Sequence, residues 1–283
     1  MLNVKTTLNC RGQLLDLSSP IVMGILNVTP DSFYDGGQHH SVNDGLRQAE
    51  KMLLEGAAII DIGGMSSRPG AEVVALNEEL QRTIPVIQAI IQHFPQTIIS
   101  IDTVHAKVAR AAIAAGASII NDISAGQFDD QMYSTVAELN VPYVLMHMQG
   151  TPKTMQMRPN YDDVIQEILD FFIREVGKLR ELEVKDIILD VGYGFGKSIR
   201  HNYELLANQH LFNILDLPIL TGVSRKSMIY KLLGTDAEQA LNGTTALHLL
   251  ALQQGAKILR VHDVKEASEV IKIYEQCASV TRA

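Results

Sequence analysis

In this chain a series of apolar runs ends on side chains able to hydrogen-bond or carry charge: Asn27, Asp61, Asp102, Asn121 with Asp122, His147, Asp190, Ser224-Arg225-Lys226, and Arg260 with His262. Arg68, Lys226, Arg260 and His262 form a donor set suited to a phosphate or diphosphate, the arginines supplying bidentate contact. Asn27 with Asp35 or Asp61 offers the oxygen ligands that a partly hydrated magnesium ion accepts when diphosphate oxygens complete its shell. Asp102 and Asp190, with Asn121, present acceptors and an amide to something flat with several N–H groups, such as the edge of a pterin or purine. Each charge-assisted hydrogen bond of that kind contributes ~1.5–3 kcal/mol. Asp, Asn and Ser at any one of these positions would also serve as a helix cap. Capping does not account for three cations gathered at the last two run ends.

Eight Ile-, Val- and Ala-rich runs must position them: Ile21–Asn27, Ala57–Gly63, Thr97–Asp102, Ala117–Ile123, Val141–Met148, Asp186–Gly192, Leu217–Val223 and Ala256–His262. They alternate with segments carrying apolar residues at three- and four-residue intervals: Val42–Leu54, Leu76–His93, Ala106–Ala115, Asp129–Leu139, Asp162–Leu182, Tyr203–Leu215, Ala237–Gln253 and Val264–Cys277. Such spacing predicts helices packed on one face, and Ser41–Asp44 reads as a capping box opening the first of them. Strands apolar on both faces and separated by helices imply a covered parallel sheet. About eight such units fit a closed (β/α)₈ TIM barrel, of the α/β class, better than an open sheet. All C-terminal strand ends of a barrel meet at one rim, so the polar residues would converge there. Thr6–Leu17, with Arg-Gly at its middle, predicts an accessory hairpin within residues 1–19 that plugs the opposite mouth. No Pro-, Gly- or Ser-rich linker divides residues 1–283, which therefore read as a single domain.

Lys and Arg total 24 against 32 for Asp and Glu, and the net charge of −8 argues against a general nucleic-acid binder. Cys10 and Cys277 stand near opposite ends, which gives neither a disulfide framework nor a Cys-rich zinc site. No stretch approaches the ~18 apolar residues of a membrane span, so a cytoplasmic protein with no membrane partner is expected. Two loops, Thr29–Gly37 and Gly63–Gly70, are rich in small and turn-forming residues and read as mobile lids on the rim.

The stretch Asp190–Ser198, DVGYGFGKS, invites a nucleotide-loop reading that its spacing refuses. A Walker A loop needs Gly five places before Gly196, where Val191 stands, and Gly192, Gly194 and Gly196 alternate instead of matching the dinucleotide pattern. His147 and His262 lie on different strands without H-E-x-x-H, which removes a zincin-like site.

The motifs NVTPDSF (Asn27–Phe33), DIGGMSSRPG (Asp61–Gly70), SIDT (Ser100–Thr103), NDI (Asn121–Ile123), MHMQG (Met146–Gly150), DVGYGFGK (Asp190–Lys197), SRKS (Ser224–Ser227) and RVHDV (Arg260–Val264) together resemble the dihydropteroate synthase family, in order from the first strand to the eighth. The resemblance implies transfer of a 7,8-dihydropterin-6-ylmethyl group from its diphosphate to the amine of 4-aminobenzoate. It implies that Asp102, Asn121, Asp190 and Lys226 hold the pterin. Asn27, Ser67, Arg68, Arg260 and His262 would hold the diphosphate, with Mg2+ on Asn27. Phe33, Ser67, Arg68, Pro69, Lys226 and Ser227 would build the aminobenzoate site, with Asp35 in the first loop. Lys226, Arg260, Asp102 and Asp190 would carry the catalysis, and the chain would form a homodimer. No enzyme nucleophile is needed for an SN1-like route, and no Ser-His-Asp or Cys-His arrangement stands at recognisable spacing.

Three positions depart from the family pattern: Met65 stands where Glu is common, Ser67 for Thr, and Val191 for Pro. Ser67 keeps the hydroxyl, whereas Met65 removes a charge from the second loop. The alternatives are a pterin-binding methyltransferase using a folate methyl donor, which gives no reason for the two loops and SRKS, and a non-catalytic barrel, which would have lost its charged rim residues.

Overall fold

The computed structural model describes residues 5–28, 37–65, 74–151, 153–155 and 159–281. Most of the two predicted lids, residues 29–36 of the first and 66–70 of the second with Phe33, Asp35, Ser67, Arg68 and Pro69, falls outside the described residues.

The chain opens with a hairpin of β1 (Thr7–Cys10) and β2 (Gln13–Asp16). Its two-residue turn, Arg11-Gly12, has positive φ at both positions (56° and 92°), the conformation that matches the twist of paired strands. Eight parallel strands then close a barrel: β3 (Ile21–Asn27), β4 (Ile59–Gly63), β5 (Ile98–Asp102), β6 (Ile119–Asp122), β7 (Tyr143–Met146), β8 (Ile187–Asp190), β9 (Ile219–Thr221) and β10 (Ala256–Val261), with β10 pairing back onto β3. The expected α/β barrel with its accessory hairpin is what forms.

The interior is stratified by the two-residue period of a strand. Met23, Ile59, Ile98, Ile119, Val144, Ile188, Leu220 and Ile258, one from each strand, pack with Leu8, Cys10, Leu15 and Leu17 of the hairpin into an apolar floor. Two residues further along the strands, the same inward direction is held by Asp61, Ser100, Asn121, Asp190 and Arg260, and further still by Asp102. On those five strands the lining therefore changes from hydrocarbon to hydrogen-bonding groups over two residues, while Ile25 and Met146 stay apolar.

Helices α1 (Gly37–Leu54), α2 (Leu76–His93), α3 (Ala106–Ala115), α4 (Met132–Leu139), α5 (Val164–Glu181), α6 (Ile199–Ala207), α7 (Ser227–Leu233), α8 (Leu241–Gln253) and α9 (Val264–Thr281) cover the outside. Their apolar stripes meet the outward strand residues in the larger core, which includes Ile60, Ile87, Ile99, Phe172 and Leu189. Two expectations need correcting, and one further helix is present. The helix α1 begins at Gly37, so Ser41 lies inside it and Ser41–Asp44 is no capping box; the reciprocal box is instead Ser198 with His201 at the start of α6. The helix expected over Tyr203–Leu215 is two pieces, α6 and a 3-10 segment from Gln209 to Leu215. The short helix α7, stopped by Gly234 at φ 67°, is not signalled by periodicity because seven residues span barely two turns. Among the described residues no helix is long and apolar enough to cross a membrane.

Candidate active site

The polar layer is built around Arg260. Its Nε donates to Asp61 Oδ2 and its Nη2 to Asp102 Oδ2, both at 2.7 Å, and Asn121 Nδ2 donates to the same Asp61 oxygen at 3.1 Å. Asp61 is wholly buried. Burial works against the charge on Arg260, but Asp61 and Asp102 together outweigh it and raise its pKa. Burial pushes the Asp102 carboxyl up to about 7, with Arg260 pulling it down and Asp61 adding to the rise.

The opposite side is made by β8 and the turn after β9. Asp190 Oδ1 accepts from the Gly192 backbone N–H at 2.8 Å. Burial raises its pKa, opposed chiefly by Lys226. Lys226 donates to the Tyr193 carbonyl, and its Nζ lies 4.5 Å from the centre of the Phe195 ring. Burial brings that ammonium down to about 8, with Asp190 resisting. Ser227 opens α7 directly after it.

At the outer edge, His262 is held through Ser224: Nδ1 lies 3.0 Å from Ser224 Oγ, and the His262 backbone N–H donates to that oxygen at 3.2 Å. Asn27 ends β3 opposite Gly63 of β4. A Cβ on Gly63 would come within 3.5 Å of Asp102 Cβ and 3.6 Å of Asn27 Oδ1, so the glycine keeps that space open beside two oxygen-bearing side chains. Among the described residues no cluster of three or more His, Cys, Asp or Glu could hold a metal. One amide oxygen beside an open space suits magnesium, which takes most of its ligands from water and substrate.

The structure thus brings together Asp102, Asn121, Arg260 and Asp61 on one side and Asp190 and Lys226 on the other, with Asn27 and His262 at strand ends of the same rim and Ser227 at the start of α7. Three expected pocket residues go elsewhere. Asp122 turns out of the barrel, accepting from the Ser124 and Gly126 backbones at 2.7 and 2.8 Å and from the Tyr143 hydroxyl at 2.8 Å, and so acts as the turn-capping residue its type also allowed. Arg225 forms a fork on Asp263, Nε to Oδ2 and Nη2 to Oδ1, both at 2.8 Å. His147 is buried behind the pocket, where its Nδ1 lies 3.0 Å from Lys197 Nζ. Met65 is no exposed loop residue: it is buried among Val104, Ile123, Met146, Met148, Met155 and Phe195, an apolar collar in which the common Glu would need a partner.

Sequence reasoning missed Asp61 as the residue that ties Arg260 and Asn121 together, having offered it to magnesium. The inward register of β4 was the available signal, since Asp61 stands two residues beyond Ile59.

A parallel barrel with this mouth falls among the pterin binding enzymes, whose family matches residues 23–262. The chain is 48% identical to the dihydropteroate synthase of Escherichia coli K12 over 95% of each protein. The crystal structure of Yersinia pestis dihydropteroate synthase with a sulfonamide drug superposes with a TM-score of 0.91 at 45% identity, covering 96% of this chain and 99% of that one. That of Xanthomonas albilineans dihydropteroate synthase with 4-aminobenzoic acid gives 0.90 at 41%, covering 96% and 98%. The chain belongs to that family, among its dihydropteroate synthases, and its activity is that of a transferase.

Proposed function

We propose that the two sides of the mouth hold the dihydropterin between them for dihydropteroate synthesis. Asn121, Asp102 and Asp190 take the N–H edge of the dihydropterin, Lys226 its carbonyl side, and Arg260 lies across the ring with one face toward the diphosphate. The observation that carries this is the pairing of Arg260 with Asp61 and Asp102 above an apolar floor, a fixed cation flanked by acceptors at ring depth.

The C–O bond between the pterin methylene and the diphosphate breaks first, the electron pair leaving with the diphosphate. Arg260 and His262 stabilise the charge that builds there, and Asp102 and Asp190 offset the cationic pterin-methylene left behind. The aminobenzoate nitrogen then forms the new C–N bond, and its proton passes to the released diphosphate or to water. Asn27 would hold magnesium, which when bound neutralises diphosphate charge. The loop residues Phe33, Ser67, Arg68 and Pro69, with Ser227 and Lys226, would complete the aminobenzoate side; the 4-aminobenzoic acid named with the Xanthomonas structure supports that substrate. One domain and a homodimer belong to the same proposal, the latter tested by sedimentation equilibrium.

Calorimetric titration of Asp190→Ala with the dihydropterin diphosphate tests the assignment. A weakening of about 10- to 150-fold is expected from the loss of one charged hydrogen-bond partner, and near-native affinity would remove Asp190 from the pocket. Omitting magnesium should slow diphosphate release; an unchanged rate would take the metal off Asn27.

A further inference from the structure

The lysine closing DVGYGFGK, rejected as a nucleotide contact by its spacing, is folded inward: Lys197 is only 2% exposed. Its Nζ donates to the Phe195 carbonyl at 3.0 Å and the His147 carbonyl at 3.3 Å, and lies 3.0 Å from His147 Nδ1. Those contacts join two segments, the turn after β7 and the turn after β8. The same two segments are pressed backbone to backbone: a Cβ on Gly192 would lie 2.0 Å from the His147 carbonyl oxygen, and one on Gly196 2.3 Å from that of Gln149. Gly192, Gly194 and Gly196 all have positive φ, at 70°, 81° and 64°, so the turn winds tightly around the Lys197 amine. Tyr161 adds a bond from its hydroxyl to the Gly196 carbonyl at 2.9 Å, and Asn202 Oδ1 accepts from the Gly194 backbone at 2.7 Å.

What the turn presents on its other side is the seat of Lys226: the Tyr193 carbonyl that accepts from Lys226 Nζ, and the Phe195 ring beneath it. We infer that Lys197 is a positioning residue for the pterin subsite, an internal clasp that fixes the 190–197 turn so that the Tyr193 carbonyl and the Phe195 ring place the Lys226 ammonium on the side of the pocket that holds Asp190. Lys197 touches no substrate; its effect passes through Lys226. The inference rests on Lys226 being a pterin ligand.

The test is a double-mutant cycle on pterin affinity, measured calorimetrically with the dihydropterin diphosphate in the absence of aminobenzoate, for Lys197→Met, Lys226→Met and the double variant. Lys197→Met is expected to weaken binding about 10- to 100-fold, as leaving the buried Phe195 and His147 carbonyls without their donor does. The double variant is expected to bind within about threefold of Lys226→Met, because two residues acting through one contact do not add. Multiplying effects, or unchanged affinity in Lys197→Met while Lys226→Met is impaired, would overturn the clasp and leave the pocket standing. Normal binding by Lys226→Met would overturn the pocket assignment itself. Should Lys197→Met not fold, Tyr161→Phe loosens the same turn at Gly196: it is expected to weaken pterin binding several-fold in the native background and not in Lys226→Met, and an equal effect in both backgrounds sinks the inference.

Discussion

Arg260 on the last strand of the barrel reaches over β3 to Asp61 on β4, with 2.7 Å between Nε and Oδ2. Asp102 shares the guanidinium and, in the proposed site, would also accept from an incoming ring, whereas Asp61 is wholly buried and faces only Arg260 and Asn121. Asp61→Asn should therefore lower kcat/KM by about 10- to 100-fold through misplacement of Arg260. Asp61→Ala should in addition cost about 3–5 kcal/mol of stability in urea, since one partner of a buried pair is removed. Wild-type kinetics in Asp61→Asn would show that Asp102 alone is sufficient.

Arg225 has a left-handed backbone, φ 53°, and besides its fork on Asp263 donates to the carbonyls of Ala237 and Glu238 at 3.0 and 2.7 Å. The residue next to Lys226 is thus fixed from several sides. Arg225→Lys keeps the charge and loses the fork, with an expected stability loss of about 1–2 kcal/mol and a raised KM for the pterin substrate. Thermal melts and steady-state kinetics check it, and an unaltered KM would uncouple the arginine from its neighbour.

The raised Asp102 carboxyl gives activity and stability opposite pH dependences. In the proposed site the ionised form would accept the pterin N–H groups, so kcat/KM should fall by about tenfold per pH unit below pH ~7. For stability, a carboxyl whose pKa in the fold, about 7, exceeds its unfolded value of ~3.9 contributes fully below pH ~4 and loses that contribution as pH rises through 7. Asp102→Asn should be inactive and should lose less stability than the wild type between pH 5 and pH 8. A flat kcat/KM profile in the wild type from pH 5 to 8 would contradict the assignment.

His248, on α8, is 1% exposed and neither ring nitrogen has a hydrogen-bond partner. Burial lowers its pKa to about 4, Asp263 pulling the other way, so the folded ring is neutral. An unfolded histidine protonates near 6.5, so this group's contribution is whole above that pH and is lost as pH falls from 6.5 through about 4, for roughly 3 kcal/mol in all. His248→Leu should remove that acid slope, raising Tm at pH 5 more than at pH 8. Equal shifts at both pH values would mean that the ring's packing alone matters.

The barrel was legible because eight apolar runs and eight helical stripes repeat in register, and because Asp102, Asn121, Asp190 and Arg260 end or nearly end their strands. Side-chain direction was not legible from position at a strand end. Asp122 adjoins Asn121 and Arg225 adjoins Lys226, yet each turns away, since successive residues of a strand face opposite sides and a left-handed residue redirects the chain beyond it. Lys197 escapes a reading of the sequence for a related reason: a Gly-Lys pair implies an exposed cation, and only the packing of two turns shows it enclosed. The extent of α1 was hidden because Ser at one position and Asp three later also share a face inside a helix.

The hairpin below the barrel makes the molecule a cup and not a tube. Leu8, Cys10, Leu15 and Leu17 close the base so completely that the Cys10 thiol is pushed up to about 12 and stays inert. Two substrates and two products must then share a single doorway. In the proposed reaction the arylamine becomes part of the product, so the diphosphate that came in with the dihydropterin would leave through the mouth before it. With apolar side chains filling the base, the pterin-methylene cation of the proposed reaction would be open to nucleophiles only from the mouth side, where the amine arrives.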